Sequence, residues 1–329
     1  MTTPVVGVND GRPRIIVVAL GGNAILQEHE AGSAGEQMAN LEQACEHLVP
    51  LIADGHRIII THGNGPQVGN LLMQQAQAAA FAPMQPMDVC VGMTQGQVGP
   101  LLARALANRL RREGIQRDVV ALVSHVLVDP EDPELQRLTK PVGPFVDATM
   151  ARELTRTAGF TFREIGRNPE RPFRRVVPSP RPLRLIEARP LRALSEAGAV
   201  VVAGGGGGVP VVLDPDGSYR SIEAVIDKDL TAEKVAESVA ADLLLILTDV
   251  ERVAVNFGKP SQRDLDWLTL AEAKTLMAAG EFASGSMYPK VLACIQFVEY
   301  GGEAAIIAGL GSADRAVRGT AGTRIERGS

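Results

Sequence analysis

Short, continuous apolar runs rich in Val, Ile and Leu recur along this chain. Between them lie longer stretches whose apolar residues fall at every third or fourth position. The first pattern predicts strands buried on both faces, the second amphipathic helices. Strands are expected at RIIVVAL (14–20), HRIIIT (56–61), DVVALV (118–123), AVVVA (199–203), VPVVL (209–213), LLLIL (243–247) and AAIIA (304–308). Helices are expected at 35–54, 95–113, 228–240, 270–280 and 286–302, with a further one after Gly65. Strands alternating with helices predict an α/β fold with a mostly parallel sheet. From about Val126 to Pro182 the rhythm breaks: the stretch is rich in Pro and Arg and supplies no long buried strand. It reads as an inserted small subdomain protruding from one large domain that spans 1–329, with flexible ends at about 1–13 and 315–329.

One run raises a question. VVVAGGGGGVPVV (200–212) meets five consecutive glycines and then resumes. Glycine forgoes side-chain packing and loses the most backbone entropy on folding, so such a run needs a reason. A tight turn is one reading; an anion pressed onto bare backbone N–H groups is the other.

Composition narrows the classes. The 329 residues are 45% hydrophobic and 22% charged, as in ordinary globular proteins, and no apolar run is long enough for a membrane span. A net charge of −5 argues against a nucleic-acid partner. Cys45, Cys90 and Cys294 lack metal-type spacing and read as reduced thiols, and the first residues lack a basic segment followed by an apolar core. A cytoplasmic location is therefore expected. The five histidines are scattered, so no metal site built from protein side chains is expected. Only six lysines occur among 33 basic residues, so a lysine inside a motif points mildly to a site that needs a compact ammonium.

Chemistry gathers where strands end. VVALGGNAI ends a strand on Gly21, Gly22 and Asn23, and IIITHGNGPQVGN ends the next on Gly63, Asn64 and Gly65. With Gly204, Gly205 and Gly206, that makes three glycine-rich loops at the C-terminal edge of a parallel sheet, where ligands bind in such folds. None is a Walker loop or a dinucleotide fingerprint. Asp227, Lys228 and Asp229 precede a predicted helix, where an aspartate can serve as an N-cap or can orient a lysine on a phosphate. Lys290 falls on the first turn of another helix, a position that disfavours cations unless an anion is near. Lys140 lies in the subdomain.

The motifs ALGGNAI, HGNGPQVGNLL, TKPVGPF, RRVVPSP, AGGGGGVPVV, VIDKDL and GSMYPKV resemble, in order, those of the carbamate kinases of the amino-acid kinase superfamily. The resemblance runs from about Arg14 to Leu310. It implies a three-layer αβα sandwich with a central, mostly parallel sheet and a small protruding subdomain. It implies reversible phosphoryl transfer between ATP and carbamate, with Mg²⁺ carried on the nucleotide phosphates, by a homodimer. It also implies that Lys140, Lys228, Asp229 and Lys290 are catalytic. Gly21, Gly22, Asn23, Gly63, Asn64 and Gly65 would hold the substrate and phosphate; Gly204, Gly205, Gly206, Asp227, Asp249 and Met287 would bind nucleotide. Acetylglutamate kinases and similar members place a lysine in the first loop where this chain has Ala19. Lys140 is the expected replacement, delivered by a subdomain attached only at its two ends and able to close as a lid. The five glycines would then let the nucleotide phosphates approach the sheet. Ala254 and Pro100 depart from the pattern, which commonly has Tyr and an aromatic there. The alternatives are another small-molecule kinase of the superfamily, a non-catalytic nucleotide sensor, and a structural α/β protein that leaves the glycine loops unexplained.

Overall fold

The computed structural model describes residues 11–27, 30–166, 168–282 and 286–328. The expected flexible N-terminus falls largely on residues 1–10, outside the described ones. In chain order the first half contains β1 (Ile15–Leu20), α1 (Ala34–Glu46), α2 (Val49–Ala53), β2 (Arg57–His62), α3 (Gly65–Ala78), α4 (Met87–Arg112), β3 (Val119–Ala121) and β4 (His125–Val128). The subdomain region adds β5 (Lys140–Val146), α5 (Ala148–Ala158), β6 (Phe162–Glu164), β7 (Phe173–Val177) and β8 (Pro182–Leu185). Then come α6 (Ala188–Glu196), β9 (Val200–Val202), β10 (Val209–Leu213), β11 (Tyr219–Ser221), α7 (Lys228–Ser238) and β12 (Leu243–Thr248). The chain ends with β13 (Val253–Val255), β14 (Arg263–Leu265), β15 (Trp267–Thr269), α8 (Leu270–Ala278), α9 (Met287–Tyr300), β16 (Ala304–Gly309), α10 (Ala313–Val317) and β17 (Thr323–Glu326).

The central sheet has eight strands in the order β15-β17-β16-β12-β1-β2-β9-β3. All its pairings are parallel except β16 with β17. Successive residues of β1 feed opposite cores. Val17 and Ala19 pack with α6, α7, α8 and α9, whereas Ile16, Val18 and Leu20 pack with α1, α2, α4 and α10. A strand buried on both faces cannot alternate apolar with polar, which is why these runs read as continuously hydrophobic. The sandwich expected from the sequence is the one observed.

Several expectations need correction. The helix expected over 35–54 is two, broken at His47 and Leu48, because Pro50 has no N–H for the Glu46 carbonyl and its ring crowds that turn. The helix expected at 95–113 begins earlier, at Met87, and carries Pro100 on its exposed side. β10 does not continue the central sheet. It belongs to a second sheet, β11-β10-β4-β8, so the glycine run is the connection between two sheets. The end expected to be flexible from 315 instead supplies the end of α10 and then β17, whose Ile325 is fully buried in the central sheet.

The stretch expected to supply no long buried strand forms, from short and partly exposed strands, a third sheet, β5-β7-β6, and gives β4 and β8 to the second. Nor does it hang by its ends alone. Val142, Leu154, Phe160 and Val177 share a core with Val68 and Leu72 of α3 and Cys90 and Val91 of α4.

Candidate active site

The C-terminal ends of β1, β12 and β16 open onto one cavity of about 540 Å³. Gly21, Gly22, Asn23 and Gln27 line one side of it, Leu247, Thr248 and Asp249 another, and Lys228, Ser286 and Lys290 a third. The first two glycine loops touch: a Cβ on Gly63 would lie 3.4 Å from the backbone of Gly22 and 3.5 Å from Lys228 Cδ. A Cβ there would be in van der Waals contact with both the loop and the lysine stem. A Cβ on Gly22 itself would meet nothing within 4 Å, and Gly65, the first residue of α3, is equally open. These amides at a strand end and a helix start suit an anion.

Asp229 organises the cations. Its carboxylate, 2% exposed, accepts a hydrogen bond from Lys228 Nζ on one oxygen and from Lys290 Nζ at 3.1 Å on the other. Lys290 also donates to the Ser286 carbonyl at 3.0 Å. Burial pulls the Lys228 ammonium below the ordinary lysine range; the Asp229 carboxylate opposes this, and the Lys290 charge adds to it. The Asp-Lys-Asp triplet supplies an N-cap and a lysine partner at once. Asp227 is the N-cap of α7, accepting from the Asp229 N–H at 2.9 Å, and its other oxygen takes Lys140 Nζ at 2.5 Å. Burial alone would favour the neutral acid, but Lys140 and Lys228 outweigh it and hold the Asp227 carboxyl below its usual value.

The glycine run makes close contacts inside the protein. Gly204 to Gly208 are buried and do not line the cavity. A Cβ on Gly205 would collide with the His62 ring, one on Gly206 with the Asn64 side chain, one on Gly207 with the Ile226 carbonyl, and one on Gly208 with Val126. Four of the five have positive φ: Gly204, Gly206, Gly207 and Gly208. The run is a floor on which His62 and Asn64 rest, and Gly204, Gly205 and Gly206, expected at the nucleotide, pack against the protein's own residues.

Side chains beneath the second loop hold it in place. His62 Nδ1 lies 2.9 Å from the Gly63 carbonyl, and burial, with the Lys228 charge, pushes the imidazole down to about 4 despite that bond. The ring is therefore neutral at physiological pH, with Nδ1 as the donor. Asn64, 3% exposed, donates to Thr94 Oγ1 at 2.7 Å, so its side chain is engaged below the loop rather than offered to a ligand. Thr231 Oγ1 donates to the Gly207 carbonyl at 2.9 Å, and the Gly204 N–H donates to Ser124 Oγ at 3.1 Å.

Of the residues singled out from the sequence, Gly21, Gly22, Asn23, Lys228, Asp249 and Lys290 meet at the cavity. Lys140 and Asp227 stand together beside it as an ion pair, and Met287, the first residue of α9, packs against the core instead. Gln27, Thr248 and Ser286 also line the cavity and were not expected. Thr248 could have been suspected as the last residue of a buried strand before Asp249, to which its hydroxyl donates at 2.9 Å. Thr94 and Thr231 carry no sequence signal beyond being polar in apolar surroundings, whereas His62 opens the HGNGPQVGNLL motif. Among the described residues no three His, Cys, Asp or Glu side chains converge as a metal cage.

Residues 14–309 match the amino acid kinase family. The carbamate kinase of Thermococcus kodakarensis is 47% identical over 315 residues, covering 95% of this chain and 99% of that protein. A solved structure from Aeropyrum pernix superposes with a TM-score of 0.89 at 43% identity, over 96% of this chain and all of that one. The carbamate kinase of Giardia lamblia, solved bound to AMP-PNP, gives 0.87 at 36% identity over 96% and 99% of the two chains.

Proposed function

The chain belongs to the amino acid kinase family, and on that premise we propose that it is a carbamate kinase, moving a phosphoryl group reversibly between ATP and carbamate. The observation that carries the chemistry is Asp229 holding Lys228 and Lys290 side by side at the mouth of the two glycine loops. Phosphoryl transfer asks a protein mainly for position and for positive charge around the equatorial and bridging oxygens. One ammonium about 4 Å from developing negative charge contributes roughly 4 kcal/mol at an effective dielectric of ~20.

In this reading the Gly21–Asn23 and Gly63–Gly65 loops orient the small acceptor and the transferring group through backbone N–H donors. Lys228 and Lys290 lie along the phosphates, and Lys140, released from Asp227, meets the transferring group from the subdomain side. An oxygen of ionised carbamate forms the new P–O bond as the bond to the ADP oxygen breaks, so no proton has to be removed and no general base is needed. Ala19 supports the narrow assignment, since it leaves the first loop without a cation that Lys140 can replace. A Mg²⁺ ion carried on the nucleotide phosphates fits the hard oxygens of Asp249, which lines the cavity, and would supply further neutralisation of phosphate charge.

The same reading makes the chain a homodimer in the cytoplasm. Val89, Met93, Gly96 and Pro100 form an exposed, mostly apolar stripe along α4 that a second copy could cover. Cys45, Cys90 and Cys294 are buried free thiols, which suits a reducing compartment. ADP with carbamoyl phosphate, assayed for ATP, tests the activity against acetylglutamate, uridylate and other acceptors in the reverse direction. ATP formation from carbamoyl phosphate alone is the expected result; a preference for any other phosphoryl donor or acceptor overturns the assignment.

A further inference from the structure

Helix α3 and strand β5 meet backbone to backbone at two glycines. A Cβ on Gly69 would overlap the Cα and N of Gly143, and one on Gly143 would come within 3.0 Å of Gly69 Cα. Gly69 is in the middle of α3, where glycine weakens a helix relative to alanine, so helix propensity alone does not account for it. Gly143 has φ +74°, and the β5–β7 register shifts between Val142 and Phe145, so the strand bulges at the point of contact. Arg174 on β7 clasps the bulge: its Nε donates to the Gly143 carbonyl at 2.8 Å, and its guanidinium lies over the Phe145 ring.

Lys140 is three residues before Gly143 on the same strand, paired in register with Val177. At about 3.3 Å per residue, that puts the contact roughly 10 Å along the strand from the lysine. Val142 is buried in the core shared with Val68 and Leu72 of α3, which ties the strand down on the Lys140 side of the bulge. Where β5 sits against α3 therefore decides how far the ammonium reaches toward Asp227 and the cavity.

We propose that Gly69 and Gly143 are positioning residues for the transfer reaction: their contact is the seat that brings β5 close enough to α3 for Lys140 to reach the site. This rests on the reading that Lys140 acts on the transferring group. A methyl group on Gly69 must lift the strand away, and the displacement is passed to Lys140 because β5 is hydrogen-bonded to β7 along this length. Sites for ADP on the opposite side of the transferring group stay as they are. The substitution raises the helix propensity of α3 itself, and the melting temperature separates displacement of the strand from unfolding.

The test measures turnover, ADP affinity by calorimetry and melting temperature for Gly69→Ala, Gly143→Ala, Lys140→Ala and the Gly69→Ala/Lys140→Ala double variant. The expected result is a loss of turnover of about tenfold or more for Gly69→Ala, with ADP affinity within twofold of wild type. Gly69→Ala should cost nothing further once Lys140 is gone, the signature of two residues acting through one group. Gly143→Ala, which creates the milder contact and a strained φ, keeps the question open to measurement if Gly69→Ala fails to fold, and should show the same split. Additive losses in the double variant, parallel loss of ADP affinity, or full turnover in both glycine variants overturns the proposal. Wild-type turnover of Lys140→Ala alone removes the role of Lys140 itself, and that failure is read from the single variant without reference to the glycines.

Discussion

Asp229 binds two ammonium groups through one buried carboxylate, so the loss of either lysine leaves the other paired and the fold largely intact. Lys228→Ala and Lys290→Ala should each lower turnover by roughly 10²-fold, the scale seen when one preorganised donor is removed from a transfer site. Steady-state ATP formation measures this, and turnover within a few-fold of wild type in both variants would exclude them from the phosphate path. Gly206 carries the opposite expectation. Its φ is +64° and the Asn64 side chain fills the space a Cβ would need, so Gly206→Val should lower the melting temperature by many degrees or prevent folding. A normal melting temperature with a raised KM for ADP would restore the nucleotide-cradle reading. The glycine loops and lysines were legible because their motif positions follow strand ends. What presses on Gly205 and Gly206 was not, because His62 ends β2 and Asn64 precedes α3, both far away in sequence, and only folding stacks them there.

Helix α7 shows what one element carries beyond its periodicity. Its N-terminus holds the functional triplet, and Glu233, on the same helix, is 1% exposed. Burial raises the Glu233 carboxyl to about 7, against the pull of the neighbouring Lys234. The folded protein therefore keeps this proton up to about pH 7, whereas the unfolded chain releases it near the ordinary carboxylate value of about 4.5. Between those values the native state binds more protons, so this group makes stability fall as pH rises. Glu233→Gln should raise the melting temperature at pH 8 and leave it close to wild type at pH 5; an equal shift at both values would show that charge is not the cause. Helix boundaries were the poorest reading from sequence. The early turns of α4 bury Met87, Cys90 and Val91 against the subdomain, a partner that periodicity alone does not reveal. Pro50 stopped α1 because it sits in the helix interior relative to Glu46, while Pro100 is carried within α4 on its exposed side.

The molecule as a whole is a sandwich with a second and a third sheet joined to its active edge through a shared core. The stripe of Val89, Met93, Gly96 and Pro100 faces outward, with Val89 and Met93 41% and 42% exposed, and Phe81 and Met84 extend the apolar surface at the preceding loop. If the stripe is the interface of the proposed homodimer, Met93→Glu should shift the chain toward monomer in light scattering, since a charge at the centre of such a face has no partner when buried. A variant that stays dimeric moves the interface elsewhere.

Local chemistry was decided by the sequence alone: which runs are strands, that they are buried on both faces, where glycine loops end them, and which lysines stand in motifs. Those properties depend on residues close together in the chain. Tertiary structure alone decided that β10 leaves the central sheet, that β17 closes its far side, and that Asp227 takes Lys140 while Asp229 takes Lys228 and Lys290. It also decided that the five glycines support His62 and Asn64 and that Gly69 meets Gly143. Each of these is a contact between segments far apart in sequence, and a pattern read along one chain carries the period of an element but not the identity of what packs against it.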